Sequence, residues 1–371
     1  MSRQLRVLVM STPVGPIGSG IGGGVEMTIR AITSGLVALG HRVEVVAPDG
    51  SAAVGDVTHR VVGTAQPSVQ LVDRSTRVPS PVGSVLANMW NLVRSRCTDF
   101  DVVLNLAYDE LPFREAPDLA RPVAHLVSMG SLTDAMDRVI DDTLRLAPWS
   151  VAMHSTAQAA TFLRGTAATM IGSGVDVEDC PFVELPHADG RIGFVGRISA
   201  EKGLRDAVEA CVQARRPLHV WGYRQDENAW IDAIADAPPH SVTYRGFVTT
   251  EILRSQLGEC AALVMAPKWT EAFGNVAIEA MACGVPVVSY RRGGPAEIVV
   301  DGETGRLVAP DDVPGLAAAL CDLGSLSRHA CRRRAETHFS TQAFARRVEA
   351  WLQGVCGRFG RVDFSGTPLS F

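Results

Sequence analysis

The sequence predicts two doubly wound α/β domains in tandem. Three observations carry this. Short β-branched runs alternate with segments of helical periodicity, the alternation breaks once at 176–190, and it then starts again. A chain of 371 residues, 46% hydrophobic and 20% charged, is long enough for two such domains to bury a core each.

The first strand is expected at 6–10, entered directly from the start of the chain rather than through a signal-peptide apolar region. After Gly24 the apolar residues Val25, Ile29, Ile32, Leu36 and Leu39 recur at helical spacing until Gly40 ends the helix. Further strands fall at 42–47, 101–106, 123–127 and 151–154. Pro181, Pro186 and Gly190, set among acidic residues, then break the periodicity as a linker would, bounding a first domain at 1–180 and a second at 187–340. The second series places strands at 191–196, 218–221, 242–245, 261–266 and 285–290, with a helix at 275–282. Beyond about residue 340, Phe344, Val348, Trp351 and Leu352 share one face of a helix, so 341–371 is expected to pack back on the first domain. Ligands of open α/β sheets sit outside the carboxyl ends of the strands, and two such domains set a cleft between them. The segments that follow the strands are therefore the place to look for chemistry.

Charge and composition exclude several classes. The net charge is −5, and residues 1–180 carry 14 arginines against 18 acids, which disfavours nucleic acid and anionic membranes as partners. Arg332-Arg333-Arg334 and Arg346-Arg347 read as solvated helix faces. No apolar run is long enough to span a bilayer, so a cytoplasmic protein is expected. The eight cysteines form no C-x-x-C or Cys/His cluster, and neither zinc nor a disulfide framework is indicated. Asp99-Phe100-Asp101, the sole D-x-D, precedes an apolar strand and reads as the start of that strand rather than as a metal site. Only two of the basic residues are lysines, Lys202 and Lys268, and both fall within the segments considered next.

Gly18, Gly20 and Gly23 formally spell G-x-G-x-x-G, but residues 11–17, with two prolines, separate them from the first strand, where a dinucleotide fingerprint would follow at once. The reading preferred is a flexible loop ending at Gly23 and Gly24 on a helix N-terminus, where bare amides can approach a phosphate; the alternative is a surface loop. Arg197 lies just past the strand 191–196 and Lys202 at the next helix start. A planar fork and a compact charge so placed suit a diphosphate, against the alternative of a surface pair. After the strand 261–266 come Lys268, Trp269 and Glu271, then Phe273, Gly274 and Asn275 at a helix start, with Glu279 inside the helix. A loop carboxylate can accept hydrogen bonds from sugar hydroxyls, the amides at the helix start can hold the sugar or phosphate, and Glu279 can bind a ribose. In the first domain His125 lies in a strand aimed at the cleft, although a lone histidine in an apolar strand is more often structural. Tyr108, Asp109, Glu110 and Phe113 cluster after the strand 101–106 and offer carboxylates and aromatic faces to an acceptor.

The succession GGGVE at 22–26, VGRISAEKG at 195–203, EAFGNVAIEA at 271–280 and GGPAEIVVDGETG at 293–305 resembles the family-4 retaining glycosyltransferases. The resemblance extends over essentially the whole chain. It implies the GT-B fold, two Rossmann-like domains facing across a cleft with a C-terminal helix returning to the N-terminal domain. It implies an acceptor in the first domain and a nucleotide sugar in the second. By the same resemblance Gly23 and Gly24 would lie beside the donor phosphate, His125 near the reacting sugar, and Arg197 with Lys202 on the diphosphate. Glu271, Phe273, Gly274 and Asn275 would hold the sugar, and Glu279 the ribose. The catalytic set is then His125, Glu271, Arg197 and Lys202, with the two cations in the role metal ions fill elsewhere, so that neither metal nor cofactor is required. STPVGPIGSGIGGGVE, LNLAYDELP, PVAHLVSMGSL and PKWTEAFGNVAIEA are more narrowly similar to the branch that glucosylates tetrahydrobiopterin from UDP-glucose. That likeness implies UDP-glucose as co-substrate and a pterin as acceptor, gripped by the 108–113 cluster. Another acceptor, such as a lipid, polysaccharide or small molecule, or another nucleotide sugar, is the alternative. An NAD(P)-dependent oxidoreductase would account for the glycines but leave the second-domain segments idle, and an epimerase or hydrolase would bind the same donor without an acceptor.

Overall fold

A computed structural model describes residues 3–65, 73–76 and 80–359. The chain divides into two compact units, Met1–Gly174 with Thr341–Phe371, and Val175–Ser340. Of the expected C-terminal segment 341–371, residues 360–371 lie outside the described residues.

The first unit is built on a seven-stranded parallel sheet. Its strands are β1 Arg6–Met10, β2 Arg42–Pro48, β3 Val57–Val61, β4 Val102–Asn105, β5 Val123–Val127, β6 Val151–Met153 and β7 Thr169–Met170. They lie in the order β3-β2-β1-β4-β5-β6-β7, so the winding reverses between β1 and β4. Fully buried Val and Leu runs on both faces, as in β1, β4 and β5, are what a parallel sheet covered by helices requires. Register places Met10, the last residue of β1, beside Asn105, the last of β4, and Asn105 beside His125, the middle residue of β5.

The helix Thr341–Arg358 completes this unit. Phe344, Val348, Leu352 and Val355 are fully buried in its core, each such side chain contributing about 1.5–3 kcal/mol. It rests on the helix Gly24–Ala38 at Gly35, where any added Cβ would lie 2.5 Å from that of Ala345. Trp351 Nε1 donates to Trp149 O at 3.0 Å, and His41 Nε2 meets Glu349 at 3.2 Å.

The second unit carries six parallel strands: β8 Ile192–Val195, β9 Leu218–Trp221, β10 Val242–Gly246, β11 Ala262–Met265, β12 Val287–Tyr290 and β13 Gly305–Val308. Their order is β10-β9-β8-β11-β12-β13, with the reversal between β8 and β11. The crevice at such a reversal is where open α/β sheets hold ligands.

Two expectations change. The stretch 176–190 is a packed part of the second unit: Val177 and Cys180 are buried in its core, Val183 N donates to Cys283 O and His187 N to Glu259 O. The arginine runs are not simply solvated faces. Arg332 donates to Cys180 O and Ala282 O, Arg334 to Ile298 O, and Arg347 to Ile171 O and Ser173 O. Each guanidinium satisfies main-chain carbonyls at helix ends, as at Ala282 and Ile298, or in loops, as at Cys180, Ile171 and Ser173. None of the described helices is long and apolar enough to cross a membrane.

Candidate active site

In the second unit, the loops after β8 and β11 are pressed together by a glycine. Gly203 has φ +69°, and a Cβ there would lie 1.8 Å from Ala266 O, so only glycine lets the first loop turn against the end of β11. Lys268 N donates to Glu201 O at 2.8 Å, which ties the second loop back to the first. This brings together two residues 69 positions apart: Lys202 Nζ meets Glu271 Oε2 at 2.6 Å, with side chains 21% and 15% exposed. Trp269 Nε1 donates to the same oxygen at 3.1 Å, and Lys202 Nζ stands 4.9 Å from the Trp269 ring centroid. Burial pushes the Glu271 carboxyl up, but the charge and hydrogen bond of Lys202, helped by Trp269 and Arg197, outweigh it and hold Glu271 below its ordinary range. Arg197 directs one arm to Gln225 Oε1 at 2.9 Å and the other to Glu201 Oε1 at 3.3 Å. The carboxyl ends of β8 and β11 are therefore followed by two cations, Arg197 and Lys202, set beside the ionised Glu271.

Gly274, at φ +97°, precedes the helix Asn275–Ala282. The loop below is held by Gly293 and Gly294, which pack against the backbone of Glu271 and Phe273. Gly294 N donates to Glu271 O at 2.8 Å, and a Cβ on Gly294 would lie 2.2 Å from Phe273 O. Phe273 turns its ring into the core, edge-on to Phe339. Glu279 is buried, and its Oε1 lies 3.4 Å from Arg254 Nε. Burial pushes its carboxyl above the ordinary range, and Arg254 offsets part of that rise. The two lysines divide their work. Lys268 pairs with Asp206 and, at 3.0 Å, with Asp311, while Tyr290 also donates to Asp206. Lys268 is a strut for the loop, and Lys202 is the ammonium beside Glu271.

In the first unit, His125 is 1% exposed, and burial pushes its pKa down to about 3, so the ring is neutral. Phe113 stacks on it, centroids 4.1 Å apart at 18°, and Asn105 Nδ2 lies 3.2 Å from its Nδ1. Tyr108 is buried and donates to Gly130 O at 2.9 Å. Asp109 caps the helix Glu110–Glu115, accepting from Leu111 N and Ser80 Oγ, each at 3.1 Å. Glu110 is paired to Arg114.

The glycine loop departs from expectation. Its amides at Gly18, Gly20 and Gly22 are not open to an outside anion: they donate to Glu26, at 2.6 Å and 3.2 Å onto Oε2 and 2.7 Å onto Oε1. Glu26 stands in the first turn of the helix Gly24–Ala38 and reaches back over the preceding loop, satisfying main-chain donors that lie outside the helix. Gly23, at φ +57°, has open space around its Cα, and its N–H closes a turn onto Gly20 O at 3.2 Å. From the sequence no role was assigned to Glu26, Asn105, Arg254 or Trp269. Trp269 alone carried a local signal, two residues before Glu271; the others reveal themselves only through partners that the fold brings close. Among the described residues no group of three or more His, Cys, Asp or Glu could hold a metal ion.

Residues 189–325 match the family of glycosyl transferases group 1. Glycogen synthase of Mycobacterium tuberculosis is 34% identical over 194 residues, 48% of this chain and 46% of that protein. D-inositol 3-phosphate glycosyltransferase 2 of Catenulispora acidiphila is 30% identical over 231 residues, 56% of this chain and 52% of that protein. The matches thus span about half the length of these curated relatives. Two solved structures share the fold over nearly the full chain. Sucrose-phosphate synthase from Thermosynechococcus elongatus superimposes with a TM-score of 0.75 at 20% identity, covering 96% of this chain and 100% of that one. Anabaena HepE in complex with UDP-glucose gives 0.72 at 17% identity, covering 94% and 100%. The architecture of two parallel-sheet, Rossmann-like units is that of the GT-B glycosyltransferase structures.

Proposed function

We propose, from the group 1 glycosyl transferase segment at residues 189–325, that the protein moves glucose from UDP-glucose to a hydroxyl of tetrahydrobiopterin with the α configuration retained. The observation that carries the donor half is the pair Lys202–Glu271 at 2.6 Å, beside Arg197, where the winding of the second sheet reverses. On this reading Lys202 exchanges its carboxylate for the diphosphate. Arg197 turns its fork to the same group, and the two cations stabilise UDP as the bond from its β-phosphate oxygen to the anomeric carbon breaks. Glu271, still held by Trp269, accepts from sugar hydroxyls. The amides of Phe273, Gly274 and Asn275 hold the sugar and Glu279 the ribose. Gly23 and Gly24 serve the donor phosphate, and neutral His125 donates to the reacting sugar rather than attacking it. HepE, of the same fold, was solved with UDP-glucose bound.

The pterin rests on the likeness of LNLAYDELP and PVAHLVSMGSL, with Tyr108, Asp109, Glu110 and Phe113 as its proposed grip. One observation favours a second reading, transfer to a different hydroxyl compound. Asp109 is spent on a helix cap and Glu110 on Arg114, so a bidentate carboxylate grip on an aminopyrimidine edge requires one of them to give up its present partner. The relatives named above act on other acceptors, as does the 2-deoxystreptamine N-acetyl-D-glucosaminyltransferase of Niallia circulans, 32% identical over 149 residues. The test is anaerobic incubation with UDP-glucose and tetrahydrobiopterin, following UDP release and looking by mass spectrometry for a hexose-bearing pterin. Acceptor-dependent UDP with an α-linked product supports the reading. UDP release driven by polyols and not by the pterin replaces it with the second.

A further inference from the structure

His125 carries the proposed function only if its one ring proton sits on the correct nitrogen, and two contacts decide which nitrogen that is. Asn105, the last residue of β4, is 1% exposed and lies directly beside His125 in the register of β4 and β5. Its amide cannot be turned over. Ala107 N donates to Asn105 Oδ1 at 3.0 Å, and Asn105 Nδ2 donates to Ala107 O at 3.2 Å. A flipped amide would set N–H against N–H and oxygen against oxygen. Nδ2 therefore faces His125 Nδ1 as a donor, at 3.2 Å, and Nδ1 must accept. A neutral imidazole that accepts at Nδ1 carries its hydrogen on Nε2. Phe113, stacked on the ring at 4.1 Å, fixes its plane, so tautomer and direction are both set.

We infer that Asn105 is a positioning residue that holds His125 as the Nε2–H tautomer, making Nε2 the hydrogen-bond donor the reaction uses. The inference deepens the proposed role of His125 and rests on it for its catalytic meaning. The tautomer itself can be measured without any substrate. It also explains why an asparagine ends an otherwise apolar strand. A carboxylate there would demand a hydrogen on Nδ1, and an aliphatic side chain would leave the buried Nδ1 unsatisfied.

Nitrogen NMR of histidine-labelled protein, with His125 assigned by its absence from a His125→Gln spectrum, tests this directly. The wild type is expected to show a bare Nδ1 and a protonated Nε2, unchanged across about pH 5–8 because the ring does not titrate there. In Asn105→Asp the second carboxylate oxygen faces Nδ1, so the signals should move to a protonated Nδ1. kcat should fall about tenfold or more, with the donor KM within about twofold, and acquire a titration the wild type lacks. A residue that merely supports the strand would move stability and leave tautomer and pH profile alone. A wild-type Nδ1–H signal, or Asn105→Asp signals identical to wild type, would overturn the inference; the wild-type spectrum decides the tautomer even if the variant does not fold. The expected signals in both proteins, with kcat unchanged in Asn105→Asp, would instead remove His125 from the reaction and overturn its proposed role.

Discussion

Replacing Arg254 by leucine should destabilise the second unit by an amount that depends on pH in a defined direction. Arg254 sits in the helix Thr250–Gly258 and Glu279 in the helix Asn275–Ala282, with side chains 10% and 6% exposed and the ion pair at 3.4 Å. Removing one partner of a buried pair costs about 3–5 kcal/mol. We take about 3 kcal/mol, the lower end, because 3.4 Å is a loose contact. Glu279 can limit the loss by binding a proton, because burial already holds its carboxyl above the ordinary range and the loss of Arg254 removes the charge that offsets that rise. The folded pKa of Glu279 then lies well above its unfolded value. The folded state binds the extra proton, and stability present below the unfolded pKa is lost as pH rises through the folded one. Urea unfolding should therefore show Arg254→Leu about 3 kcal/mol below wild type at about pH 8 and less than half as far below at about pH 5. Adding Glu279→Leu should return most of the loss, because an apolar pair needs no partner charge. A single variant within about 0.5 kcal/mol of wild type, an equal loss at both pH values, or a double variant no more stable than the single would each refute the reasoning.

Other consequences follow from the same geometry. Trp269→Phe keeps the ring beneath Lys202 but removes the N–H that holds Glu271, and should raise the donor KM about three- to tenfold, the worth of one such hydrogen bond; an unchanged KM would show that Lys202 alone orients the carboxylate. Glu26→Gln replaces the carboxylate that gathers three loop amides and should cost about 1.5–3 kcal/mol, with faster hydrogen exchange at Gly18, Gly20 and Gly22; unaltered exchange would place the loop's order elsewhere. His125 has a folded pKa of about 3 against an ordinary 6.5, so its neutral form stabilises the fold above 6.5 and that contribution is lost as pH falls. Between pH 6.5 and about pH 5 the loss is about 2 kcal/mol, and His125→Gln should be less acid-sensitive by that amount in parallel denaturation curves. Equal acid sensitivity would mean that the ring is not neutral in the folded state.

What could be read from the sequence follows what each residue's surroundings impose on it. β1, β5 and β9 were legible to the residue because their Val and Leu runs are buried on both faces. β3, β7 and β13 were not, and all three are edge strands: β3 exposes or half-exposes every residue, β7 is two residues long, and β13 opens on a glycine. Lys202 and Glu271 could each be singled out by their place after a strand, but their pairing depends on Gly203 fitting against Ala266, which no spacing encodes. Charge was the least legible property. The sequence shows that Arg332, Arg334 and Arg347 are cationic, not that main-chain carbonyls wait for them. It shows a glutamate after GGGV, not that the carboxylate folds back over the amides of Gly18, Gly20 and Gly22.

The proposed donor site depends most directly on Lys202 as its cation. UDP titrated calorimetrically into the wild type and into Lys202→Met tests it in one comparison. Binding by the wild type that weakens about 10- to 100-fold in the variant, the worth of a charge-assisted contact to a diphosphate, is the predicted result. Equal affinity in the two proteins would contradict it.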